Sequence, residues 1–371
     1  MEDKDRFFMR RALELAAKAG GRTSPNPMVG AVIVRDGRIV GEGYHERAGL
    51  PHAEVIALNK AGKLAKGATL YVNLEPCCHW GRTPPCTKAI IRSGVRKVIV
   101  ATLDPNPLVS GKGLEELRRN GIEVEVGLME EEAKRLNKFF FKHITTGLPF
   151  VILKIAMSLD GKIATCTGES KWITSPESRR MVHEIRDQVD AVMVGIGTVL
   201  KDDPQLTTRL PDREGKDPIR VILDSHARTP PTARAINPKS PAPTIIATTP
   251  KANEERVKAL REAGAEVVML DEDEEGRVDL KSLMEYLGGR PIQSLLVEGG
   301  SEVAGSMLMK GLVDKVMFFI APKIIGGVNA PTPVGGSGVQ RLSEAIPLEE
   351  IEVKRVGPDI LIEGCVKRCR S

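Results

Sequence analysis

Short apolar runs of strand length alternate with helical stretches along nearly the whole chain, and that alternation limits the fold more than any other feature. It points to an α/β layered architecture. The segment from Asp5 to Gly20 places Phe8, Ala12, Leu15, Ala16 and Ala19 on one helical face, and Gly20 and Gly21 stop it. The runs GAVIV and RIVGEGY flank Arg35-Asp36-Gly37, a hairpin signal. Further on, HAEVIALNKAG reads as a helix ended by Gly62, ATLYVNL as a strand, TKAIIRSG as a helix and KVIVATL as a buried strand. GLEELRRNG, IEVEVG and EEEAKRLNKFFFKHIT continue the pattern as helix, strand and one long helix.

Gly147 and Pro149 break the pattern within residues 145–150, which gives an expected boundary between domains 1–147 and 148–371. At 371 residues the chain has room for two or three domains. The second part opens with the strand FVILKIAMS and a helix capped by Ser175 with Pro176 at its first position. Continuous apolar runs such as DAVMVGIG, IRVILDS, PTIIATT and SLLVEGG follow, most of them separated by helices, as expected of a mostly parallel sheet. The tail reads as further strands around a Gly/Pro-rich loop at 326–338.

Composition excludes several classes. Charged residues make up 28% and apolar residues 41%, which is globular rather than disordered. No apolar run approaches the ~20 residues of a spanning helix. The N-terminus lacks the apolar core of a signal peptide, so no membrane partner and a cytoplasmic location are expected. The net charge of +5 is scattered and forms no basic stripe, which argues against a nucleic-acid partner. Thirteen Asn and Gln stand against 54 Lys and Arg and 49 Asp and Glu, a balance met in proteins from hot environments.

Chemistry concentrates in PHAEVIAL and LEPCCHWGRTPPCTKAI. His52 and Glu54 open a predicted helix, Cys77 follows a strand and Pro76, and Cys86 opens the next helix after Pro84-Pro85. One imidazole and two thiolates are three ligands for a tetrahedral zinc that keeps one position open. Helix N-termini favour the thiolate form. Glu54 is expected to move protons rather than to ligate. Three clustered cysteines could otherwise hold a structural zinc or be free thiols.

The arrangement is similar to the H-x-E…P-C-x-x-C signature of zinc nucleobase deaminases. It departs from it in spacing, since eight residues separate Cys77 from Cys86. With TSPNPMVGAVIV, CHWGRTPPC and DPNPLVSGKG, residues 1–145 resemble the deaminase half of the bifunctional riboflavin-biosynthesis deaminase–reductases. That resemblance implies a cytidine-deaminase-like three-layer domain and puts Asn26 and His45 near the substrate. Cys78 stands where the family usually has Ser, and His79 is as readily a plain loop residue.

The second half lacks G-x-G-x-x-G, but LLVEGGSEVAGSML is a strand, a Glu-Gly-Gly turn and a helix whose N-terminus suits a phosphate. With LKIAMSLDGKIAT, GESKWITSPESR and VGIGTVLKDDPQLTTR, it resembles the reductase half of the same family, related in fold to dihydrofolate reductase. The resemblance implies an NADPH site at Ala156, Trp172, Thr198, Asp202, Ser225 (with Asp224 as its neighbour) and the turn of Gly300, Ser301, Glu302, Val303, Ala304, Gly305 and Ser306. It implies substrate contacts at Ser170, Arg186, Leu206, Arg209 and Glu298. Arg186 and Arg209 could clamp a sugar phosphate. Lys154, in an apolar strand, needs a partner or a job, and orienting the sugar is the job considered. Cys166, Cys365 and Cys369 carry no motif.

The expectation is a two-domain enzyme with Zn2+ and NADPH. The first domain would deaminate a phosphorylated pyrimidine ribosylamine, and the second would reduce its ribosyl chain to ribityl. Homo-oligomerisation stays open. The alternatives are a nucleoside or RNA deaminase with an appended nucleotide-binding domain, a reductase with a structural zinc domain, and a zinc-stabilised binding module.

Overall fold

The computed structural model describes residues 2–81, 83–236 and 239–367, so Cys369 lies outside the described residues. The chain forms two compact units, Met1–Leu148 and Pro149–Ser371.

The first unit is built on a five-stranded sheet in the order β2-β1-β3-β4-β5. Its strands are β1 (Gly30–Arg35), β2 (Arg38–Tyr44), β3 (Thr69–Leu74), β4 (Lys97–Thr102) and β5 (Glu123–Val126). β1 runs antiparallel to β2 and β3, whereas β3, β4 and β5 are parallel. Asp36 and Gly37, with φ of 51° and 73°, make the β1–β2 turn.

Strand alternation divides the unit into three layers. Ala31, Ile33, Leu70, Val72, Val98 and Val100 point to a core shared with α2 (Ala53–Ala61), α3 (Cys86–Ser93) and α4 (Lys112–Arg119). Val32, Val34, Tyr71, Ile99 and Ala101 point the other way, against Phe8, Met9, Ala12 and Leu15 of α1 (Glu2–Ala17) and Ala133 of α5 (Glu130–Leu136). The expected long last helix is instead two, α5 and α6 (Lys138–Thr146), broken at Asn137. The Asn137 side chain turns away to bond both the N–H and the C=O of Met28.

The second unit holds a nine-stranded sheet, β10-β9-β8-β7-β11-β6-β12-β14-β13. Here β6 is Phe150–Ser158, β7 Ala191–Gly195, β8 Ile219–Leu223, β9 Thr244–Thr248, β10 Glu266–Met269, β11 Ser294–Val297, β12 Lys315–Ala321, β13 Leu348–Val356 and β14 Asp359–Val366. From β10 to β12 all neighbours are parallel, and β14 and β13 close the edge antiparallel. Strands β7, β9 and β11 are buried at every position, which is why they read as unbroken apolar runs. The helices are α7 (Pro176–Gln188), α8 (Ile196–Asp202), α9 (Glu254–Glu262), α10 (Leu280–Gly288) and α11 (Ser301–Met309). Ser175 caps α7 by accepting from the N–H of Ser178. Among the described residues no helix is long and apolar enough to cross a membrane.

Candidate functional site

In the first unit three loops converge at the start of α2. His52 is the N-cap of α2, in extended conformation, and Cys86 is the first residue of α3 after Pro85. Cys77 follows β3. His52 Nδ1 lies 3.5 Å from Cys77 Sγ and 3.2 Å from Cys86 Sγ, and the three ligand atoms all fall within 4.8 Å of one another. Two soft sulfurs and one imidazole nitrogen at that separation suit zinc. The Cys86 thiol donates to Cys77, which holds Cys77 below its ordinary pKa and keeps Cys86 above it.

Glu54 lies in the first turn of α2, 3% exposed, and its Oε2 is buried with no hydrogen-bond partner among the described residues. Burial, then the negative charge at Cys77, pushes its carboxyl up to about 7. A lone acid with that affinity for protons, beside a metal-type donor set, is equipped to take and return a proton near neutrality.

His45 and Asn26 meet at this site. Pro51 O accepts from His45 Nδ1 at 3.1 Å, so His45 Nε2 is left to accept from Asn26 Nδ2, also at 3.1 Å. Burial lowers the His45 pKa and keeps it neutral. Its ring stands edge-on to His52, with centroids 5.1 Å apart.

Several supporting residues went unnoticed in the sequence. Asn73 bonds the Gly30 N–H and the Met28 C=O, so with Asn137 it pins the segment that carries Asn26. Glu75 accepts from the N–H groups of Gly111 and Gly113 at 2.9 and 3.1 Å and ties that loop to the end of β3. A Cβ at Gly113 would meet Pro76 O at 2.3 Å. Thr83 Oγ1 lies 3.2 Å from His52 Nε2. Only the position of Thr83 inside the RTPPC string offered a signal. His79 Nδ1 is buried without a partner, and the half-buried Cys78 Sγ points to Leu108 O at 3.9 Å.

In the second unit a cavity of about 1040 Å³ opens at the carboxyl ends of β6, β7, β8 and β11, where the strand order reverses. Its wall takes in Ala156, Trp172, Thr198, Asp202 and Ser225, and from the β11–α11 turn Gly300, Ser301, Glu302, Val303, Ala304 and Ser306. A Cβ on Gly299 would stand 2.8 Å from Thr198 Oγ1, and Gly300 has φ of +89°. This bare turn stands at a helix N-terminus without a side-chain cap, an arrangement that could hold a phosphate group.

Gly305, in the same helix, is buried, and its missing Cβ makes room for Gly335 O, 2.1 Å from where that Cβ would be. Trp172 is 64% exposed, with the Arg179 guanidinium stacked 4.5 Å from its ring centre. Ser225 Oγ accepts from the Val278 N–H, and its neighbour Asp224 is buried and bonded to Thr229.

Lys154, Ser170, Arg186, Leu206, Arg209 and Glu298 line the same cavity. Arg186 is not a free clamp. It grips Glu298 through Nε and Nη2 and donates Nη1 to Thr207 O at 2.9 Å. Lys154 Nζ lies 4.0 Å from the same carboxylate, the partner its burial demanded. Ser170 Oγ donates to Asp202 at 3.2 Å. Leu206 is buried in the left-handed region at φ of 55°, a strained backbone on the cavity wall. Arg209 donates to Thr207 Oγ1 and Gln205 and remains exposed. His183, also unnoticed, accepts the Arg209 N–H at 3.2 Å. Burial, then Arg186 and Arg209, lowers its pKa to about 4.

Comparison with known proteins agrees with this layout. The family model described as cytidine and deoxycytidylate deaminase zinc-binding region matches residues 2–102, and the RibD C-terminal domain matches residues 149–362. The riboflavin biosynthesis protein RibD of Aquifex aeolicus is 50% identical over 359 residues, covering 96% of this chain and 97% of that protein. The Escherichia coli RibD is 44% identical over 370 residues, covering 97% and 98%. Among solved structures, Acinetobacter baumannii RibD superposes with a TM-score of 0.89 at 38% identity, covering 99% of this chain and 100% of that one. A Thermotoga maritima diaminohydroxyphosphoribosylaminopyrimidine deaminase/5-amino-6-(5-phosphoribosylamino)uracil reductase gives 0.86 at 41%, covering 99% of each. These full-length matches disfavour a nucleoside or RNA deaminase with an unrelated second domain. The chain belongs to the RibD family, the bifunctional enzymes of riboflavin biosynthesis in which a zinc-binding deaminase domain precedes a reductase domain.

Proposed function

We propose that the first unit hydrolyses the 2-amino group of 2,5-diamino-6-(5-phosphoribosylamino)pyrimidin-4-one, and that the second reduces the ribosyl chain of the product to ribityl with NADPH. The observation that carries the first step is the convergence of His52, Cys77 and Cys86 within 4.8 Å beside Glu54, whose Oε2 is buried without a hydrogen-bond partner among the described residues. His52, Cys77 and Cys86 would hold zinc, which when bound supplies the Lewis acidity that lets water lose a proton near pH 7. Glu54 takes that proton at Oε2 and returns it to the departing amine, so ammonia leaves and the carboxylate is restored. Neutral His45, fixed by Pro51 O, holds Asn26 through Nε2, and the Asn26 amide would face the pyrimidine.

In the second unit the Gly299-Gly300 turn and the N-terminus of α11 would cradle the NADPH phosphates, with Ala156, Thr198, Asp202 and Ser225 along the same wall. Lys154, Arg186 and Glu298 form a fixed polar patch, which orients the sugar. Arg209 is an exposed cation that can meet the substrate phosphate, and Arg186 acts through Glu298. The ligand thiols need a reducing compartment, which makes the cytoplasm the proposed location.

The test supplies the diaminopyrimidine substrate with and without NADPH, and follows ammonia and the nicotinamide absorbance. Ammonia release without NADPH, with oxidation only afterwards, is the expected order. If the zinc-loaded chain gives neither signal, the assignment is wrong.

A further inference from the structure

Ten residues, from Cys77 to Cys86, carry two of the three metal-type donors, and a third group in the same loop touches the remaining donor. Thr83 Oγ1 lies 3.2 Å from Nε2 of His52, on the opposite side of the ring from Nδ1, which faces the two sulfurs at 3.5 and 3.2 Å. An imidazole that gives the lone pair of Nδ1 to a metal keeps its proton on Nε2. That N–H needs an acceptor, and a threonine hydroxyl has lone pairs to offer.

We propose that Thr83 is a positioning residue of the metal centre: its Oγ1 accepts the Nε2–H of His52 and fixes the imidazole in the tautomer and rotation that present a bare Nδ1 between the two thiols. The proposal rests on the zinc-ligand reading given above. Pro84 and Pro85 restrict the backbone between Thr83 and Cys86, and Thr83 O accepts the Gly81 N–H at 3.3 Å. The hydroxyl and the Cys86 sulfur are therefore delivered as one stiff piece. This gives the eight-residue spacer a purpose, since a spacer of two residues leaves no room for a side chain that loops back onto the histidine. The competing explanation is that edge packing on His45, with centroids 5.1 Å apart, orients the ring unaided.

The experiment uses the full-length zinc-loaded chain as wild type, Thr83→Val, Thr83→Ser and Thr83→Ala. Zinc affinity is read by competition with a chromophoric chelator, and hydrogen-exchange protection in peptides of β3 and β4 checks that the first unit has folded. Loss of an outer-shell partner weakens metal binding about 10–100-fold, so Thr83→Val and Thr83→Ala are expected to fall in that range and Thr83→Ser to stay near wild type. In 15N NMR of the zinc-loaded wild type, His52 is expected to be protonated at Nε2. Wild-type affinity in Thr83→Val and Thr83→Ala would show that ring packing suffices and overturn the proposal. A loss in Thr83→Ser, which keeps the hydroxyl, equal to that in Thr83→Val, which lacks it, would show that the hydroxyl does not carry the effect and overturn the proposal as well. If His52→Ala still holds zinc at wild-type affinity, the ligand reading itself fails, an outcome distinct from the other two.

Discussion

Replacing Glu298 with Gln tests the electrostatic design of the reductase cavity. The side chains of Glu298, Arg186 and Lys154 are 6%, 11% and 15% exposed, and the one carboxylate faces both cations. The amide keeps the shape and removes the charge. Breaking a buried pair from one side costs about 3–5 kcal/mol, because the other charge stays behind. Burial, and Arg186 beside it, already hold the Lys154 ammonium below its usual pKa, so Lys154 can shed its proton once the carboxylate is gone. Arg186 cannot. One stranded charge rather than two puts the loss at the lower end, about 3 kcal/mol, or roughly a 100-fold rise in the opening constant.

Hydrogen exchange read on peptides of α7 and β11 measures the loss locally, with peptides of α2 and α3 as the unaffected reference. Burial alone would raise the Glu298 pKa, but Arg186 outweighs it and the net shift is downward. The carboxylate's contribution is therefore complete above the ordinary Glu range and fades as pH falls through the depressed value. The gap between wild type and variant should close on acidification. A loss under about 1 kcal/mol at neutral pH, or a gap that does not change with pH, would refute the idea that the pair is electrostatically coupled. Replacing Arg186 and Glu298 together with apolar residues should restore much of the stability that Glu298→Gln removes.

Three further outcomes follow from the geometry. Glu54→Gln should cut ammonia release about 10²–10⁴-fold, while zinc content and NADPH oxidation on the pre-deaminated substrate stay at wild-type levels. Gly305→Ala should destabilise the reductase unit by about 1–3 kcal/mol, seen as lost exchange protection in α11, because the new methyl meets a backbone carbonyl that cannot yield. His183, with its pKa lowered to about 4, should not titrate by NMR between pH 5 and 8. The unfolded chain takes up a proton at that position from its ordinary range downward and the folded chain does not, so this group makes stability fall as pH drops from about 6.5 towards 4.

Much of this architecture was legible because local pattern and tertiary role coincide. Phe8, Ala12, Leu15 and Ala16 share a face of α1 and are buried, Ala19 is buried in the turn that follows, and the unbroken apolar runs are the central parallel strands. Helix α8 went unread because it has only seven residues, starts straight from β7 and contains Gly197. The break at Asn137 escaped notice because its cause is a partner 109 positions away. At the candidate sites, the residues with intrinsic chemistry could be singled out from the sequence. Those whose role depends on a distant partner could not: Thr83, Glu75, Asn73 and His183 are ordinary letters until folding sets an imidazole, a loop or an arginine beside them. Arg186 is a like case: the sequence showed the cation but not Glu298, which engages it from 112 positions away.

The clamp on Met28 carries a cost in chemical durability. Asn137 gives a donor and an acceptor to one residue at once, and Asn73 does the same across Met28 and Gly30. No carboxylate can do that, because it has no hydrogen to give. Hydrolysis of either amide to Asp would place an anion against the Met28 carbonyl and loosen the strap that carries Asn26. In a chain with so few amides, these two remain where a single side chain must both give and receive. Slow ageing of the deaminase half under heat would then be written in the mass of two residues, one dalton each, before any strand had come apart.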